Sequence, residues 1–216
     1  MRSPDAPLDR GAVAALDWKK MDGLLPATVQ DRGSRRVLMT GYMNRAALEA
    51  TIATREVTFW SRSKARLWKK GETSGNILSG ADVYCDCDGD ALLVLATPAG
   101  PVCHEGTASC FAAAPHAGPG WLADLARIIA ARGRVAGSES YTARLLAAGP
   151  QRIAQKVGEE GVELALAGAA GTAAECVSEA ADLLYHVAVL LEARNIGWDD
   201  VVHELQIRHA KKSQSK

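Results

Sequence analysis

The chain has 216 residues, room for one large domain or two small ones, and its 25 Lys and Arg balance its 25 Asp and Glu. Zero net charge leaves no electrostatic footprint for coating DNA or RNA, and no uninterrupted apolar run approaches the ~20 residues of a membrane helix. The opening, MRSPDAPLDRGAVAALDW, lacks a charged head followed by an apolar stretch and a cleavage site, so the expected location is the cytoplasm, with neither nucleic acid nor membrane as partner.

In chain order, 12–18 predicts a short helix. Apolar runs at 37–39, 57–60 and 91–95, separated by Gly, Asp and Asn, predict strands and turns. Between the first two, 44–53 predicts a helix with Asn44 as its N-cap. The character changes near residue 115. AAAPHAGPG at 112–120 is a linker of small residues, Pro and Gly, and the remainder of the chain is rich in Ala, Leu and Glu at helical spacing. About four helices are expected there. The first runs from 121 to about 131 and ends in the stretch 133–137. The second, from about 151 to 167, is closed by Gly168 and Gly171. The third covers 173–194, with Asn195 and Gly197 as stop signals, and the last 199 to about 211, with Asp199 at its start and Lys211 and Lys212 at its end. The fold class is an α+β domain, 1–114, mostly strands, then a linker, 115–120, then an all-α helical bundle, 121–216.

Five cysteines, an odd number without a secretion signal, argue against a disulfide framework, and four of them lie between Cys85 and Cys110. Clustered thiols in a reducing compartment point to metal. In Cys85-Asp86-Cys87-Asp88-Gly89-Asp90 an extended backbone would put Cys85 and Cys87 on one face and Asp86 and Asp88 on the other, with Asp90 beyond the turn at Gly89. Thiolates suit zinc and carboxylates suit magnesium. Cys87, Cys103 and Cys110 as three ligands would leave an open position for water, which zinc acidifies to a pKa of about 7. His104 would be the proton shuttle beside it. Two plainer readings compete: Cys85 could close a four-thiolate structural site, and the aspartates could be ordinary turn residues. Upstream, WSRSK at 60–64 and KKGETSGN at 69–76 offer Arg62, Ser63, Lys70, Ser74, Gly75 and Asn76 as candidates for holding phosphate or ribose, although a basic turn is usually solvated surface.

Four strings, VLMTGYMN, FWSRSKARLWKKGETSGN, DCDGDALL and GPVCHEGTASCF, together resemble the signature blocks of phosphoribosyl-AMP cyclohydrolase, in order, over roughly 16–111. The resemblance implies zinc at Cys87, Cys103 and Cys110, magnesium at Asp86, Asp88 and Asp90, and a homodimer in which Cys87 of one subunit meets Cys103 and Cys110 of the other. Cys85 falls outside that ligand set. Lys64 and Glu105 depart from the family pattern, where Arg and Thr are usual.

In the rear half, Lys156, Glu159, Glu160 and Glu163 share an arc of about 100° on a helix. Apolar residues flank it: Ile153, Val157 and Leu164 on one side, Val162 and Leu166 on the other. A stripe so bordered is expected to face into a bundle. Glu175, Glu179, Asp182 and His186 form a second stripe. Inward carboxylates on neighbouring helices need a neutralising cation, and oxygen ligands select Mg²⁺ or Mn²⁺. The competing reading is a charged surface with Lys156 in a salt bridge to Glu159. Here SYTARLLAAG, IAQKVGEEGVELALA and SEAADLLYHVAVLL are similar to phosphoribosyl-ATP pyrophosphohydrolase, over about 121–212. Gly161 stands where Ala is commoner, and Cys176 reads as a small apolar filler.

The two resemblances in this order imply a bifunctional hydrolase of histidine biosynthesis acting on small phosphoribosyl nucleotides. Its rear domain would hold Mg²⁺ through Glu160, Glu163, Glu179 and Asp182 with Glu159 nearby, Glu160 being catalytic and Lys156 a phosphate partner. Its front domain would open an adenine ring at the N1–C6 bond, with Zn²⁺ and His104. Competing functions are a general nucleotide pyrophosphohydrolase with a vestigial front domain, and a zinc-stabilised helical dimerisation protein.

Overall fold

Every second side chain of LPATVQD, Leu25–Asp31 (β1), is buried, as in a strand with one face on a core. In the computed structural model, which describes residues 6–112, 118–134 and 140–213, β1 pairs antiparallel with Val37–Met43 (β2) and parallel with Leu92–Pro98 (β6). On its far side β6 pairs antiparallel with Leu78–Cys85 (β5), so the sheet order is β2-β1-β6-β5. The helix Arg45–Thr54 (α1) starts at Asn44, whose side chain accepts from the Ala47 N–H at 2.9 Å, and ends at Arg55 in a left-handed conformation. Thr58–Ser61 (β3) and Arg66–Lys69 (β4) form a separate hairpin. Gly41 makes room for it on β2: a Cβ there would lie 2.5 Å from the Phe59 ring. Leu25, Val29, Met43, Leu48, Phe59, Leu78 and Val94 fill the core, each contributing about 1.5–3 kcal/mol by leaving water.

The helix expected at 12–18 is only a single 3₁₀ turn, Ala12–Ala15. Tertiary bonds draw the backbone away: Leu16 is extended, Asp17 N–H donates to the Gly89 carbonyl at 2.9 Å, and the Trp18 indole donates back to Val13.

The chain divides by its contacts into two units, Met1–Gly120 and Trp121–Lys216. Part of the expected linker, 113–117, lies outside the described residues, as do 135–139, where the first rear helix was expected to end. Among its described residues the second unit holds five helices rather than about four: Trp121–Arg134 (α2), Tyr141–Ala148 (α3), Pro150–Ala170 (α4), Ala173–Ala193 (α5) and Trp198–Ser213 (α6). Ser140 caps α3, accepting from Ala143 N–H at 3.2 Å. Pro150 opens α4 at a position where a missing N–H costs nothing. Gly168 stays inside α4, and Gly171 ends it. Thr172 and Glu175 then form a reciprocal capping box, so α5 doubles back on α4. Ile129, Leu145, Ile153, Ala188 and Val189 make the small core of this unit. The side chains of Lys211 and Lys212 lie outside the described residues. No helix among the described residues is long and apolar enough to cross a membrane.

Candidate metal centres

The loop after β6 is stitched to β2. Cys110 N–H donates to the Leu38 carbonyl at 2.8 Å, and the buried Ser109 hydroxyl donates to the Val37 carbonyl at 2.8 Å. A tight turn closes on Cys103, which bonds Thr107 and Gly106 through its backbone. The result brings the Cys103 and Cys110 side chains close enough to act on each other's ionisation. The Glu105 backbone N–H pulls the Cys103 thiol below its ordinary range, which favours thiolate. Burial of its sulfur, and then the charge of Cys103, push Cys110 up. The buried Lys70 acts on Cys110 in the opposite sense. His104 is exposed, with Nδ1 at 3.8 Å from the Cys103 sulfur.

Cys87 stands elsewhere. It follows β5 at one edge of the sheet, whereas Cys110 is tied to β2 at the other, three strand spacings or about 14 Å away. Sulfurs sharing one zinc lie within about 4 Å of each other, given Zn–S bonds of about 2.3 Å. One chain therefore offers two of the three thiols together. Cys85 packs against the core of the first unit.

The expected alternation of faces along 85–90 does not occur, because β5 stops at Cys85. The residues beyond it wrap around Asp86 instead. Its Oδ1 accepts from the N–H groups of Gly89, Asp90 and Ala91 at 2.9, 3.0 and 3.2 Å, and Gly89 takes a positive φ. This loop, not a strand face, brings carboxylate oxygens of Asp86, Asp88 and Asp90 within 4.8 Å of one another. The ammonium of Lys20 bridges two of them, at 2.5 Å from Asp88 and in contact with Asp90. Those carboxylates raise the Lys20 pKa well above its ordinary value, and Lys20 lowers that of Asp88. Sequence reasoning missed Lys20, which lies 68 residues from Asp88 with no local pattern linking them.

The proposed phosphate-holding residues are only partly gathered. Arg62 and Ser63 line a hollow of about 660 Å³ together with Tyr42, Trp60 and Trp68, and the Arg62 guanidinium stacks 4.1 Å above the Tyr42 ring. Lys70 is buried, near enough for its charge to act on Cys110. Ser74 and Gly75 sit in an exposed turn outside the hollow, and the Asn76 side chain lies against Gly100.

In the second unit, Glu160, Glu179 and Asp182 place carboxylate oxygens within 4.8 Å of one another across the α4–α5 pair. Glu160 is 6 % exposed. Lys156 Nζ lies 3.0 Å from its Oε1 and holds its pKa down. Glu163, exposed at the rim, is pushed up chiefly by the charge of Glu160. Glu159 stands apart, taken by Lys156 at 2.7 Å and by the Gln155 amide at 2.7 Å. Glu175 is committed to the cap of α5. One flank of the acidic stripe is packed, with Ile153 buried, but the other is bare within the chain, with Val162 and Leu166 more than 60 % exposed. The stripe thus meets α5 on one side only, since the chain supplies no helix for the other among the described residues. Cys176 lies 3.7 Å from where a Cβ on Gly168 would be, filling space between α4 and α5.

Residues 39–112 match the family model for phosphoribosyl-AMP cyclohydrolase and residues 122–209 that for phosphoribosyl-ATP pyrophosphohydrolase. The chain is 50 % identical over 204 residues to the histidine biosynthesis bifunctional protein HisIE of Photobacterium profundum, covering 92 % of this chain and 99 % of that one. It is 55 % identical over 198 residues to the protein of the same name from Xanthomonas campestris pv. campestris, covering 92 % and 95 %. Against that of Salmonella typhimurium it is 52 % identical over 196 residues, covering 90 % and 95 %. The chain belongs to the HisIE family. Its candidate ligand groups fall under both matches, the thiols and the aspartate loop in the first and the α4–α5 acids in the second. The HisIE matches also span Tyr141 and His186: the Tyr141 hydroxyl meets the His186 ring, which faces Glu160, and no sequence pattern announced the Tyr141 contact. His186 was visible only as the last member of the second stripe.

Proposed function

We propose that the chain carries out two successive hydrolyses in histidine biosynthesis. The second unit splits phosphoribosyl-ATP into phosphoribosyl-AMP and pyrophosphate. The first unit opens the adenine ring of phosphoribosyl-AMP at the N1–C6 bond. The observation that carries this reading is the presence of two separate ligand sets of different chemistry, thiols and carboxylates, each within its own unit. A general pyrophosphohydrolase with a vestigial front half is not favoured, because the full-length relatives share both halves and the three thiols are intact. A purely structural helical dimer leaves the convergent rear acids unexplained.

The metals are part of the proposal. Paired sulfurs suit zinc, and converging carboxylates suit magnesium. At the aspartate loop the fit shows in Lys20, whose ammonium occupies the place of a cation among the acids. In the second unit, three acids brought together beside one lysine keep more negative charge than Lys156 offsets. Zinc, when bound, would supply acidified water at neutral pH, and magnesium would neutralise the phosphate chain.

The chain's own residues do the rest. Glu160, Glu163, Glu179 and Asp182 would form the rear ligand set, with Lys156 placing positive charge toward the phosphates. In the ring opening, water adds its oxygen to C6 and a proton reaches N1 as the N1–C6 bond breaks. His104, beside Cys103 and exposed to solvent, would move that proton. Arg62 and Ser63 would hold substrate at the hollow, and Lys70 at the thiols. Because Cys87 cannot reach the other two thiols in one chain, we propose a homodimer in which Cys87 of one copy joins Cys103 and Cys110 of the other.

Full-length protein given phosphoribosyl-ATP tests the assignment, with pyrophosphate and ring-opened product followed together. Cys103→Ala is expected to stop at phosphoribosyl-AMP. Glu160→Gln is expected to block pyrophosphate release by at least about a hundredfold and still convert added phosphoribosyl-AMP. Loss of both activities in each well-folded variant would refute the two-site reading.

A further inference from the structure

Behind Glu160 lies a buried group that the ligand set does not use. His186 is 4 % exposed, one helical turn beyond Asp182 on α5, and its ring meets those of Tyr141 and Tyr185 edge-on at 6.0 and 5.2 Å. Its Nδ1 is 2.9 Å from the backbone carbonyl of Asp182. A carbonyl only accepts, so Nδ1 carries the hydrogen. In the neutral ring Nε2 is then an acceptor, and it lies 3.0 Å from the Tyr141 hydroxyl, which donates. The Nδ1 edge also faces Glu160 Oε1 at 3.6 Å. The Lys156 ammonium claims the same oxygen at 3.0 Å. Oε1 is thus paired with Lys156, and the edge of the imidazole lies against it.

We propose that His186 and Tyr141 are positioning residues of the rear metal centre. Tyr141, on α3, fixes the tautomer and the tilt of the ring. The ring, on α5, steadies the backbone carrying Asp182 and the carboxylate of Glu160 on α4. Three helices thus converge on one imidazole, and two of the proposed ligands take their orientation from it. Outer partners of this kind change metal affinity by about 10–100-fold when removed. The inference rests on the reading of Glu160 as a ligand.

The test is Mn²⁺ binding by full-length protein, followed by electron paramagnetic resonance, in an Asp88→Asn background that weakens the front acids. Tyr141→Phe removes only the hydroxyl from a ring that is 45 % exposed, so the fold should persist. The expected result is about tenfold weaker Mn²⁺ binding, with the melting temperature of the metal-free protein unchanged. Pyrophosphate release by Tyr141→Phe should recover at high Mg²⁺, a rescue that damaged packing would not allow. His186→Leu should bind more weakly still, and His186→Asn, which keeps a donor near the Nδ1 position, should regain most of the loss. Unchanged Mn²⁺ affinity in Tyr141→Phe would overturn the positioning role. If Glu160→Gln also bound Mn²⁺ as tightly as the parent, the ligand reading itself would fall first.

Discussion

Lys20 and the acids it bridges show how one side chain would set the terms of the proposed metal site. Its ammonium satisfies Asp88 and Asp90 at once, and the Asp86 carboxylate is pinned by three backbone amides. A divalent ion entering this loop must displace Lys20, so the lysine works as a built-in competitor. Its side chain is half exposed, and water and salt screen the pair, so the competition is modest. Lys20→Met removes the competitor and leaves the carboxylates without a neutralising partner. The expected outcome is severalfold tighter Mn²⁺ binding at this loop, measured calorimetrically in a Glu160→Gln background that weakens the rear acids. The metal-free protein should melt at a lower temperature than its parent. Weaker Mn²⁺ binding in the variant would show that Lys20 supports the site rather than competing for it.

At the scale of the element, α4 carries an avoidable cost. Gly161 sits mid-helix, and a Cβ built on it meets nothing within 4 Å in the chain. Glycine there gives up about 1 kcal/mol relative to alanine through the backbone freedom lost on folding. Gly161→Ala is expected to raise unfolding stability by about that amount in urea titrations of the second unit's helical signal. A loss of stability would mean that something outside the single chain packs against that position. The same helices show what could be read from sequence. Glu160, Glu163, Glu179 and Asp182 were legible because helical periodicity alone brings residues 3, 4 and 7 apart to one face. Short or tertiary-driven elements were not. The eight residues of α3 hid between Ser140 and Gly149, although an N-cap serine and a Gly-Pro stop were both present. The turn at Ala12–Ala15 was overestimated because Val13 and Leu16 are apolar for burial against the sheet, not for a helix face. The aspartates were legible by type, but their convergence depends on Asp86 capping its own loop, which alternation could not foresee.

Across the whole molecule, the placement of the thiols would make the proposed zinc centre a property of two chains. Cys103 and Cys110 hang from the β2 edge, and Cys87 from the β5 edge, which are the two sides of a sheet that cannot fold its edges together. The same separation that forbids a complete site within one copy allows two complete sites in a symmetric pair, since each copy offers one half at either edge. This makes a sharp expectation for mixed variants. Cys87→Ala and Cys103→Ala should each be inactive in ring opening when alone, because every site in the pair lacks one sulfur. After the two are unfolded together and refolded, a mixed pair joins the intact Cys87 of one chain to the intact Cys103 and Cys110 of the other. One of its two sites is then complete. Random pairing should restore about a quarter of the parent's ring-opening rate and its zinc content in proportion. Pyrophosphate release, which belongs to the helical unit, should stay constant throughout and serves as the internal control. A mixture that regained neither zinc nor ring opening, while its pyrophosphate release held steady, would mean that the three thiols do not meet across a pair.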